Sequence, residues 1–315
     1  MVVKNNTFLS ASLSDSKYLA RLEFLERPPE RLYYYGKIPE FAGESEPSVR
    51  FPQEGRGRPK TVAIVGARKM TTYGETWAFK FAKELAELGI VVVSGLATGI
   101  DSAAHRGALA GGGRTVALLG TPIDKIYPAE NQSLFESILT EDGCVLSELA
   151  AGVKYYPKIT FLERNRLIAG LSDAVIVVEA DLRSGSLNTA SHALEQGVPL
   201  FAVPGDLSRQ MSRGCNSLFN KGATAITAIE DVLNVIFSGS VKSRKREKMK
   251  LFGSTPDETM VLEVLSLGVC AGEEILKSIK EKDTDFDVSR FNIAITMLEI
   301  RGIVKRDLNN QWLLC

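Results

Sequence analysis

The chain has 315 residues with 38 Lys and Arg against 38 Asp and Glu, so its formal net charge is zero. At roughly 100 to 200 residues a domain, this length predicts one large domain and a smaller one. The charge balance excludes a strongly basic nucleic-acid coat but allows a local basic groove, and the lack of a run of roughly 18 apolar residues or a signal-peptide pattern predicts a cytoplasmic protein without membrane contact.

Residues 1–55 are predicted to form an N-terminal extension. Its first elements are one short helix in SDSKYLARLEFLE and one edge strand in PPERLYYYGKIP. The strand is placed at an edge because proline cannot donate to a central ladder. The polar, turn-rich stretch AGESEPSVRFPQEGRGRP predicts a loop.

Residues 56–237 show apolar strand patterns that alternate with amphipathic helix patterns. The strand patterns are TVAIVGA, IVVVSGL, TVALLG, CVLSEL, AVIVVEA and PLFAVPG. The helix patterns are ETWAFKFAKELAELG, DSAAHRGALAGG, NQSLFESILTEDG, RNRLIAGLS, LNTASHALEQG and AIEDVLNVIF. A strand that is apolar at both its odd and its even positions is covered on both faces of the sheet. The alternation therefore predicts an α/β fold with a Rossmann-like doubly wound parallel sheet.

The C-terminal part divides into a basic segment and a small domain. Six Lys and Arg face one Glu between Lys242 and Lys250, which favours a solvated linker over 238–253, with direct nucleic-acid contact as the alternative. Residues 254–315 predict three short helices and two strands around Asn309 and Asn310, the order of a winged-helix-like domain. Its third helix carries few basic residues, which argues against ordinary major-groove recognition.

In a parallel sheet of this kind, ligands bind at the carboxyl ends of the strands. The first strand is followed by Gly66 and Arg68 without a G-x-G-x-x-G pattern, so we expect no nicotinamide dinucleotide there. The Arg68 fork suits a phosphate instead. In SGLATGID, Gly95 and Gly99 either shape a turn whose Asp101 caps the next helix, or present backbone N–H groups to an anion.

The stretch RSGSLNTA follows the fifth strand and is the better anion candidate. Gly185 permits close backbone approach, while the hydroxyls of Ser184 and Ser186 and the N–H groups of the following helix can donate. The alternative is a turn that only caps this helix. The pattern favours a site for phosphate.

A loop before the RNR sequence interleaves cations with aromatic rings. Its members are Lys154, Tyr155, Tyr156, Lys158, Phe161, Arg164 and Arg166. Such a pattern is typical of single-stranded nucleic-acid binding, because cations follow the phosphates and each ring can stack on a base. Packing in the core is the alternative for Phe161 and Tyr155.

Few residues suit catalysis. The two histidines, His105 and His192, lie inside helix patterns, and Glu195 is the one carboxylate suspected, because it follows the anion loop on its helix. The cysteines at 144, 215, 270 and 315 have no C-x-x-C spacing, which predicts reduced structural thiols and no zinc. We therefore expect no catalytic residue, metal or cofactor.

These motifs, in this order, resemble the DNA-processing protein A family, DprA or Smf. The blocks are VAIVGARK, VVSGLATGIDSAAHRGAL, TVALLGT, IYPAEN, SELAAG, RNRLIAGLS, VVEADLRSGSLNTASHALEQG, FAVPG and SRGCNSLFNKGA. The resemblance implies a homodimer that binds single-stranded DNA, protects incoming strands in natural transformation and loads the RecA recombinase, with no established catalytic activity. It matches Arg68, Lys158, Phe161 and Ser184 to Ser186 to the family's DNA pocket.

Combined with the patterns above, this resemblance defines a predicted DNA-binding set. Its members are Arg68, Lys69, Lys158, Phe161, Arg164, Arg166, Arg183, Ser184, Gly185, Ser186 and Asn188, with Gly66, Gly95 and Gly99 in anion-binding turns. Two positions depart from the family pattern. Ala67 replaces a serine and Thr98 replaces an arginine, so the predicted pocket has one hydroxyl and one positive charge fewer.

Two other interpretations remain open at this point. The strand, glycine-serine loop, helix and Glu195 are similar to those of the lonely-guy phosphoribohydrolases, which would make the chain a nucleotide-acting enzyme. Alternatively, the fold serves as an interaction platform whose C-terminal domain docks a partner.

Overall fold

The computed structural model describes residues 7–39, 60–237, 255–265, 271–281, 283–306 and 311–314. The chain divides into two compact units, Met1–Ser240 and Val241–Cys315. The loop predicted within residues 42–59 and the basic linker predicted at 238–253 lie outside the described residues. Within the described ranges, no helix is long and apolar enough to cross a membrane.

The described part of the first unit contains a nine-stranded sheet. Its strands are β1 (Leu9–Ala11), β2 (Leu32–Gly36), β3 (Thr61–Val65), β4 (Val91–Ser94), β5 (Thr115–Leu119), β6 (Cys144–Ser147), β7 (Ala174–Val177), β8 (Leu200–Ala202) and β9 (Thr224–Ala225). Their spatial order is β1-β2-β6-β5-β4-β3-β7-β8-β9, and β3 to β9 are parallel. The chain proceeds from β3 to β6 on one side and returns to β7 on the other. The topological switch point therefore lies between β3 and β7.

Helices cover both faces of this sheet. They are α1 (Thr72–Glu87), α2 (Ile100–Ala110), α3 (Gln132–Thr140), α4 (Pro157–Gly170), α5 (Ser186–Glu195), α6 (Gln210–Phe219) and α7 (Ile229–Ile236). Side chains alternate between the faces of a strand. Thus Val65 of β3 packs in a core with Leu167 of α4, while Ile64 packs in the opposite core with Phe81 of α1. The predicted Rossmann-like, doubly wound fold is confirmed.

The N-terminal segment belongs to this first unit. The predicted helix is formed by two 3-10 helices, Leu13–Asp15 and Leu19–Phe24, and Leu22 is buried in the core beside α4. The strand predicted in PPERLYYYGKIP is β2, but its edge position was wrong. It pairs with β6 on one side and β1 on the other, because the apolar residues of the segment fold back on the sheet.

Two helices differ from the sequence prediction. The stretch before RNR was predicted as a loop but is helical from Pro157 onward. Proline is tolerated at the first helical position because the N–H group there has no partner within the helix. The second difference is α6, which covers QMSRGCNSLF after β8 and was not predicted. Starting α4 at Pro157 places Lys158, Phe161 and Arg164 on one continuous helix.

The second unit contains α8 (Pro256–Leu265), α9 (Gly272–Lys280) and α10 (Val288–Ile300), followed by the antiparallel pair β10 (Val304–Arg306) and β11 (Trp312–Leu314). Phe286, Phe291 and Trp312 pack in its own hydrophobic core. Three helices followed by a two-stranded ribbon are the elements that the sequence predicts for a winged-helix-like domain.

Candidate nucleic-acid interface

A cavity of about 330 Å³ opens at the carboxyl ends of the central strands. Its walls come from the turn after β3, the turn after β4, helix α4 and the segment after β7. The predicted residues that line it are Gly66, Arg68, Lys69, Phe161, Arg164, Arg183, Ser184, Gly185 and Ser186. The cavity thus lies at the switch point between β3 and β7, where open α/β sheets bind ligands.

Helix α4 supplies one wall through a single face. Phe161, Arg164, Asn165 and Ile168 all line the cavity, and positions i, i+3, i+4 and i+7 of a helix lie on the same side. Asn165 was not among the predicted residues. The helical spacing from Phe161 would have found it, had the helix been predicted to begin at Pro157.

Glu179 fixes the turn that carries Arg68 and Lys69. Its carboxylate accepts hydrogen bonds from the backbone N–H of Thr71 at 2.8 Å and from the Thr71 hydroxyl at 2.6 Å, and its carbonyl accepts from the N–H of Ala67 at 2.7 Å. Glu179 is buried, so these bonds compensate its removal from water. Glu179 was not among the predicted residues, and the signal for it is a carboxylate at the end of an apolar strand, as in VVEA.

Phe161 is a half-buried ring between aromatic and cationic neighbours. Its centroid lies 5.6 Å from that of Tyr127, 5.2 Å from the Arg68 guanidinium carbon and 5.9 Å from that of Arg164. Cation–π contact of this kind holds the ring and the guanidinium groups together. One side of the ring packs against neighbouring side chains, and the ring also lines the cavity. Phe161 therefore combines the core position and the ligand-facing position that the sequence left as alternatives.

Arg164 forms the floor of the cavity and is buried. Its Nη1 donates to the carbonyl of Gly95 at 2.8 Å and also to that of Leu118, and its Nε donates to Oδ1 of Asn165 at 3.2 Å. Burial lowers the pKa of Arg164 to about 10, so the group stays protonated at neutral pH. Arg164 therefore holds the ends of β4 and β5 together and supplies a fixed positive charge.

Asp101 is the buried carboxylate beside this arginine. Burial raises its pKa, and the Arg164 charge opposes that rise. The Asp101 carboxylate accepts from the N–H of Gly95 at 3.2 Å, whereas the cap position of α2 is Gly99. Asp101 thus closes the SGLATGID turn and does not cap the helix as predicted.

Gly95 and Gly99 do not line the cavity, although Gly66 does. A Cβ on Gly99, whose φ is +81°, would lie 2.3 Å from the carbonyl oxygen of Ala67, and one on Gly95 would lie 2.5 Å from the Arg164 guanidinium. Both glycines are required by packing. The SGLATGID geometry is therefore explained without a bound anion.

The glycine-serine loop after β7 is held by Asn165. Its amide nitrogen donates to the carbonyl of Gly185 at 3.3 Å and to Oδ1 of Asn188 at 3.1 Å. Asn188 does not line the cavity and serves as this acceptor. The hydroxyls of Ser184 and Ser186 lie 2.7 Å apart, and Ser186 begins α5. The N-terminal end of α5 therefore lines the cavity, while the N–H groups of Leu187 and Asn188 donate to the carbonyls of Ser184 and Gly185.

Three cations at the mouth of the cavity form no direct ion pair, although the charge of Asp181 interacts with that of Arg183. Arg68, Lys69 and Arg183 are exposed, and none of them pairs with a carboxylate among the residues that the structure describes. Asp181, also in the wall, is held by Gln210 at 2.9 Å and by the N–H of Leu182, and these bonds lower its pKa. The mouth is thus set up to attract an anion.

Two residues of the predicted set lie elsewhere on α4. Lys158 is exposed one turn before Phe161 and does not reach the cavity lining. Arg166 pairs with Glu148 at 2.6 Å and lines a separate cavity of about 510 Å³ with Glu163. It points away because residues two apart on a helix are separated by about 200°.

The candidate catalytic groups are outside the cavity. His192 and Glu195 pair with each other at 3.1 Å toward the end of α5, where Glu195 is exposed. Among the described residues, no group of three or more His, Cys, Asp and Glu could hold a metal. Cys144 and Cys215 are free and buried, while Cys270 and Cys315 lie outside the described ranges. Glu195 is thus not positioned for the phosphoribohydrolase alternative.

His105 is buried in the core. Its Nδ1 lies 2.7 Å from the hydroxyl of Thr115, which itself donates to the carbonyl of Val92. Nδ1 must therefore carry the proton. Burial lowers the pKa of His105 to about 3, so the imidazole stays neutral at neutral pH.

We expect the His105 imidazole to stay neutral in an NMR pH series down to about pH 4.5, because burial lowers its pKa to about 3. Below about pH 6.5 the unfolded state binds a proton at His105 that the folded state does not. The free energy of unfolding should therefore decrease by about 1.4 kcal/mol per pH unit from that source as the pH falls. A His105 titration near pH 6 would contradict the assignment.

Comparison with known proteins places these features in context. The family model described as DNA recombination-mediator protein A matches residues 51–237. The Smf protein of Synechocystis is 40% identical over 230 residues, which cover 73% of this chain and 54% of that protein. The DNA processing protein DprA of Streptococcus pneumoniae is 39% identical over 226 residues, 72% of this chain and 73% of that protein. The match thus spans about half of the first relative and more of the second.

Two solved structures share the fold of the first unit. DNA processing protein A of Helicobacter pylori, whose structure concerns its single-stranded DNA binding mode, has a TM-score of 0.62 at 32% identity, covering 76% of this chain and 99% of that chain. The crystal structure of DprA from Streptococcus pneumoniae has a TM-score of 0.60 at 38% identity, covering 72% and 74%.

Proposed function

This chain belongs to the DNA recombination-mediator protein A family, and on that premise we propose that the cavity at the switch point binds single-stranded DNA. The observation that carries the proposal is the set of three exposed cations, Arg68, Lys69 and Arg183, which form no ion pair among the described residues and line the same cavity as a half-buried aromatic ring. The cations can bind the phosphates of a single strand, and an unpaired base can stack on the ring. The H. pylori relative described with a single-stranded DNA binding mode supports the same assignment.

Different residues in the walls of the cavity can bind the phosphate and the base of a nucleotide. The guanidinium groups of Arg68 and Arg183 can each hold two oxygens of one phosphate. The Ser184 and Ser186 hydroxyls bond to each other at 2.7 Å, so this pair keeps one proton that can be donated to a phosphate. Phe161 offers a ring on which a base gains roughly 1 to 3 kcal/mol. A base paired in a duplex cannot reach that ring, so the site selects single strands.

A salt titration against single-stranded and double-stranded oligonucleotides tests this proposal. Between about 50 mM and 200 mM salt, log K should fall against log salt with a slope of about −0.7 for each phosphate neutralised on a single strand. Three cations predict a slope of about −2 and tighter binding of the single strand. Equal affinity for the duplex, or a slope near zero, would refute the assignment.

Gly185→Ala separates a ligand site from a capping turn. Gly185 has φ −63°, which any residue adopts, and a Cβ there meets nothing within 4 Å. The substitution should therefore leave the free energy of unfolding unchanged or slightly higher. If a phosphate approaches this backbone, the added methyl group should weaken binding about 10-fold, as measured by fluorescence anisotropy. Unchanged affinity would favour the capping turn.

The proposal extends to the role and partners that the family resemblance implies. The chain acts without a catalytic step as a mediator of recombination, protects incoming single strands in natural transformation, forms a homodimer and loads RecA. Sedimentation of the full chain tests the dimer. RecA ATPase on single strands coated with a single-strand binding protein tests loading, and no stimulation by this chain would contradict that part of the proposal.

A further inference from the structure

Next to the cavity, two loops place lysines over tyrosine rings. The first loop, residues 120–128, follows β5, and the second, 148–156, follows β6. Nζ of Lys125 lies 5.1 Å from the ring centroid of Tyr155, and Nζ of Lys154 lies 5.7 Å from that of Tyr156. Together with Tyr127, these four residues form what we call the tyrosine-lysine strip.

The two loops are fixed to each other and to the sheet. The N–H of Ile123 donates to the carbonyl of Leu149 at 3.0 Å, and the N–H of Gly152 donates to the Asp124 carboxylate at 3.2 Å. The Ser147 hydroxyl donates to the carbonyl of Thr121 at 2.6 Å. The strip is therefore a preformed surface, since the segments that carry it are held by hydrogen bonds.

The strip continues from the cavity. Tyr127 touches Phe161, the aromatic ring of the cavity, with centroids 5.6 Å apart, and the Thr160 hydroxyl donates to the carbonyl of Gly120 at 2.7 Å. Adjacent strands lie about 4.8 Å apart, and the path from the loop after β7 to the loop after β5 crosses three such spacings, roughly 15 Å. The strip therefore begins at the aromatic ring that lines the cavity.

The chemistry of the strip matches a nucleic-acid strand. Tyr127 is 46% exposed and Tyr156 is 60% exposed, so each presents ring surface to solvent. Within the described part of the chain, neither Lys125 nor Lys154 pairs with a carboxylate. Asp124 lies nearby but its carboxylate accepts from Gly152. Open rings beside unpaired lysines suit bases beside phosphates.

We propose that the tyrosine-lysine strip binds the nucleotides that follow those held in the cavity on the same single strand. This inference rests on the proposed function and adds a second segment to its DNA path. It assigns base stacking to Tyr127, Tyr155 and Tyr156, and phosphate contact to Lys125 and Lys154. The consequence is an affinity that increases with strand length beyond the nucleotides that the cavity holds.

The test compares oligothymidylates of about 5 and about 20 nucleotides by fluorescence anisotropy with the full chain. Lys125→Ala with Lys154→Ala should weaken binding of the longer strand about 10-fold and change binding of the shorter one less than about 2-fold. Both lysines are exposed, so the variant should fold. Tyr155→Leu with Tyr156→Leu should give the same pattern by loss of stacking, with a smaller change in salt slope.

The matched control is Lys80→Ala with Lys83→Ala, which removes two exposed lysines that pair with Glu84 and Glu87 on α1. It should bind both strands like the unchanged chain. The inference is overturned if the strip variants bind the longer strand as tightly as the control, or if they lose affinity equally at both lengths. Failure of the unchanged chain to bind either strand would instead overturn the proposed function itself.

Discussion

Replacing both Arg68 and Arg183 by alanine should weaken binding of a single-stranded oligonucleotide by about two orders of magnitude. Each guanidinium lines the cavity without a carboxylate partner among the described residues, so each is available for a phosphate. A hydrogen bond to a charged group contributes about 1.5 to 3 kcal/mol, which is about 10-fold or more in affinity. The slope of log K against log salt should become shallower by about 1.4.

The same double substitution should change the free energy of unfolding by less than about 1 kcal/mol. Both side chains are exposed. The main interaction that the substitution removes from the folded protein is the cation–π contact between Arg68 and Phe161. Lys80→Ala with Lys83→Ala removes the same charge on α1 and should leave affinity and slope unchanged. A variant that folds and still binds like this control would place the DNA elsewhere on the chain.

Arg68→Lys separates charge from geometry at this position. Lysine keeps the positive charge but lacks the planar fork that holds two phosphate oxygens. We expect an affinity between those of the unchanged chain and Arg68→Ala, with an unchanged salt slope. Full affinity of Arg68→Lys would show that charge alone suffices.

The central strands could be predicted because their sequence patterns have one interpretation. TVAIV in β3 is buried at every position, and such a strand must be covered on both faces. Two cores, one on each face, follow directly. The edge of the sheet could not be predicted in this way, because β1 has only three residues, two of them exposed, and so carries no distinct apolar pattern.

The cavity residues that lie in turns after strands could be predicted from the sequence. Those on helix α4 could be predicted only in part. Arg68 and Ser184 lie three and seven residues after the ends of β3 and β7, and strand ends at the switch point converge on one place. On α4, the start of the helix decides which residues share a face. With the start at Pro157, Arg164 faces the cavity and Arg166 faces away, so the RNR sequence contributes one buried cation and not two free ones.

Glu179 and Asn165 were missed for a different reason. Both are buried, and each acts through the segment that it holds: Glu179 through the Arg68 turn, and Asn165 through the Gly185 loop. A positioning residue of this kind is defined by its hydrogen-bond partners, and here those partners are 20 or more positions away in the chain. A sequence pattern reveals the polar residue type but not such distant partners.

Arg164→Met should lower the free energy of unfolding by about 3 to 5 kcal/mol, the largest stability effect expected for a single residue of the site. Methionine fills much of the volume but leaves the carbonyls of Gly95 and Leu118 without the donor that Arg164 provides. It also leaves the buried Asp101 without the charge that opposes its rise in pKa. Removing a buried positive charge that interacts with a buried carboxylate, together with the donor to two carbonyls, has a cost of this size.

Asp101→Asn in the same chain measures how much of that loss comes from the uncompensated charge. Asparagine keeps the shape and can still accept from the N–H of Gly95, so the double variant should recover about 1 to 3 kcal/mol relative to Arg164→Met alone, measured by urea denaturation.

Protonation of Asp101 should act in the same direction. Because its folded pKa is raised, the folded state binds more protons than the unfolded state, and the loss caused by Arg164→Met should shrink as the pH falls from about 7 toward about 5. An equal loss at both pH values, with no recovery by Asp101→Asn, would mean that Arg164 acts only through the two carbonyls and that Asp101 is neutral in the folded protein.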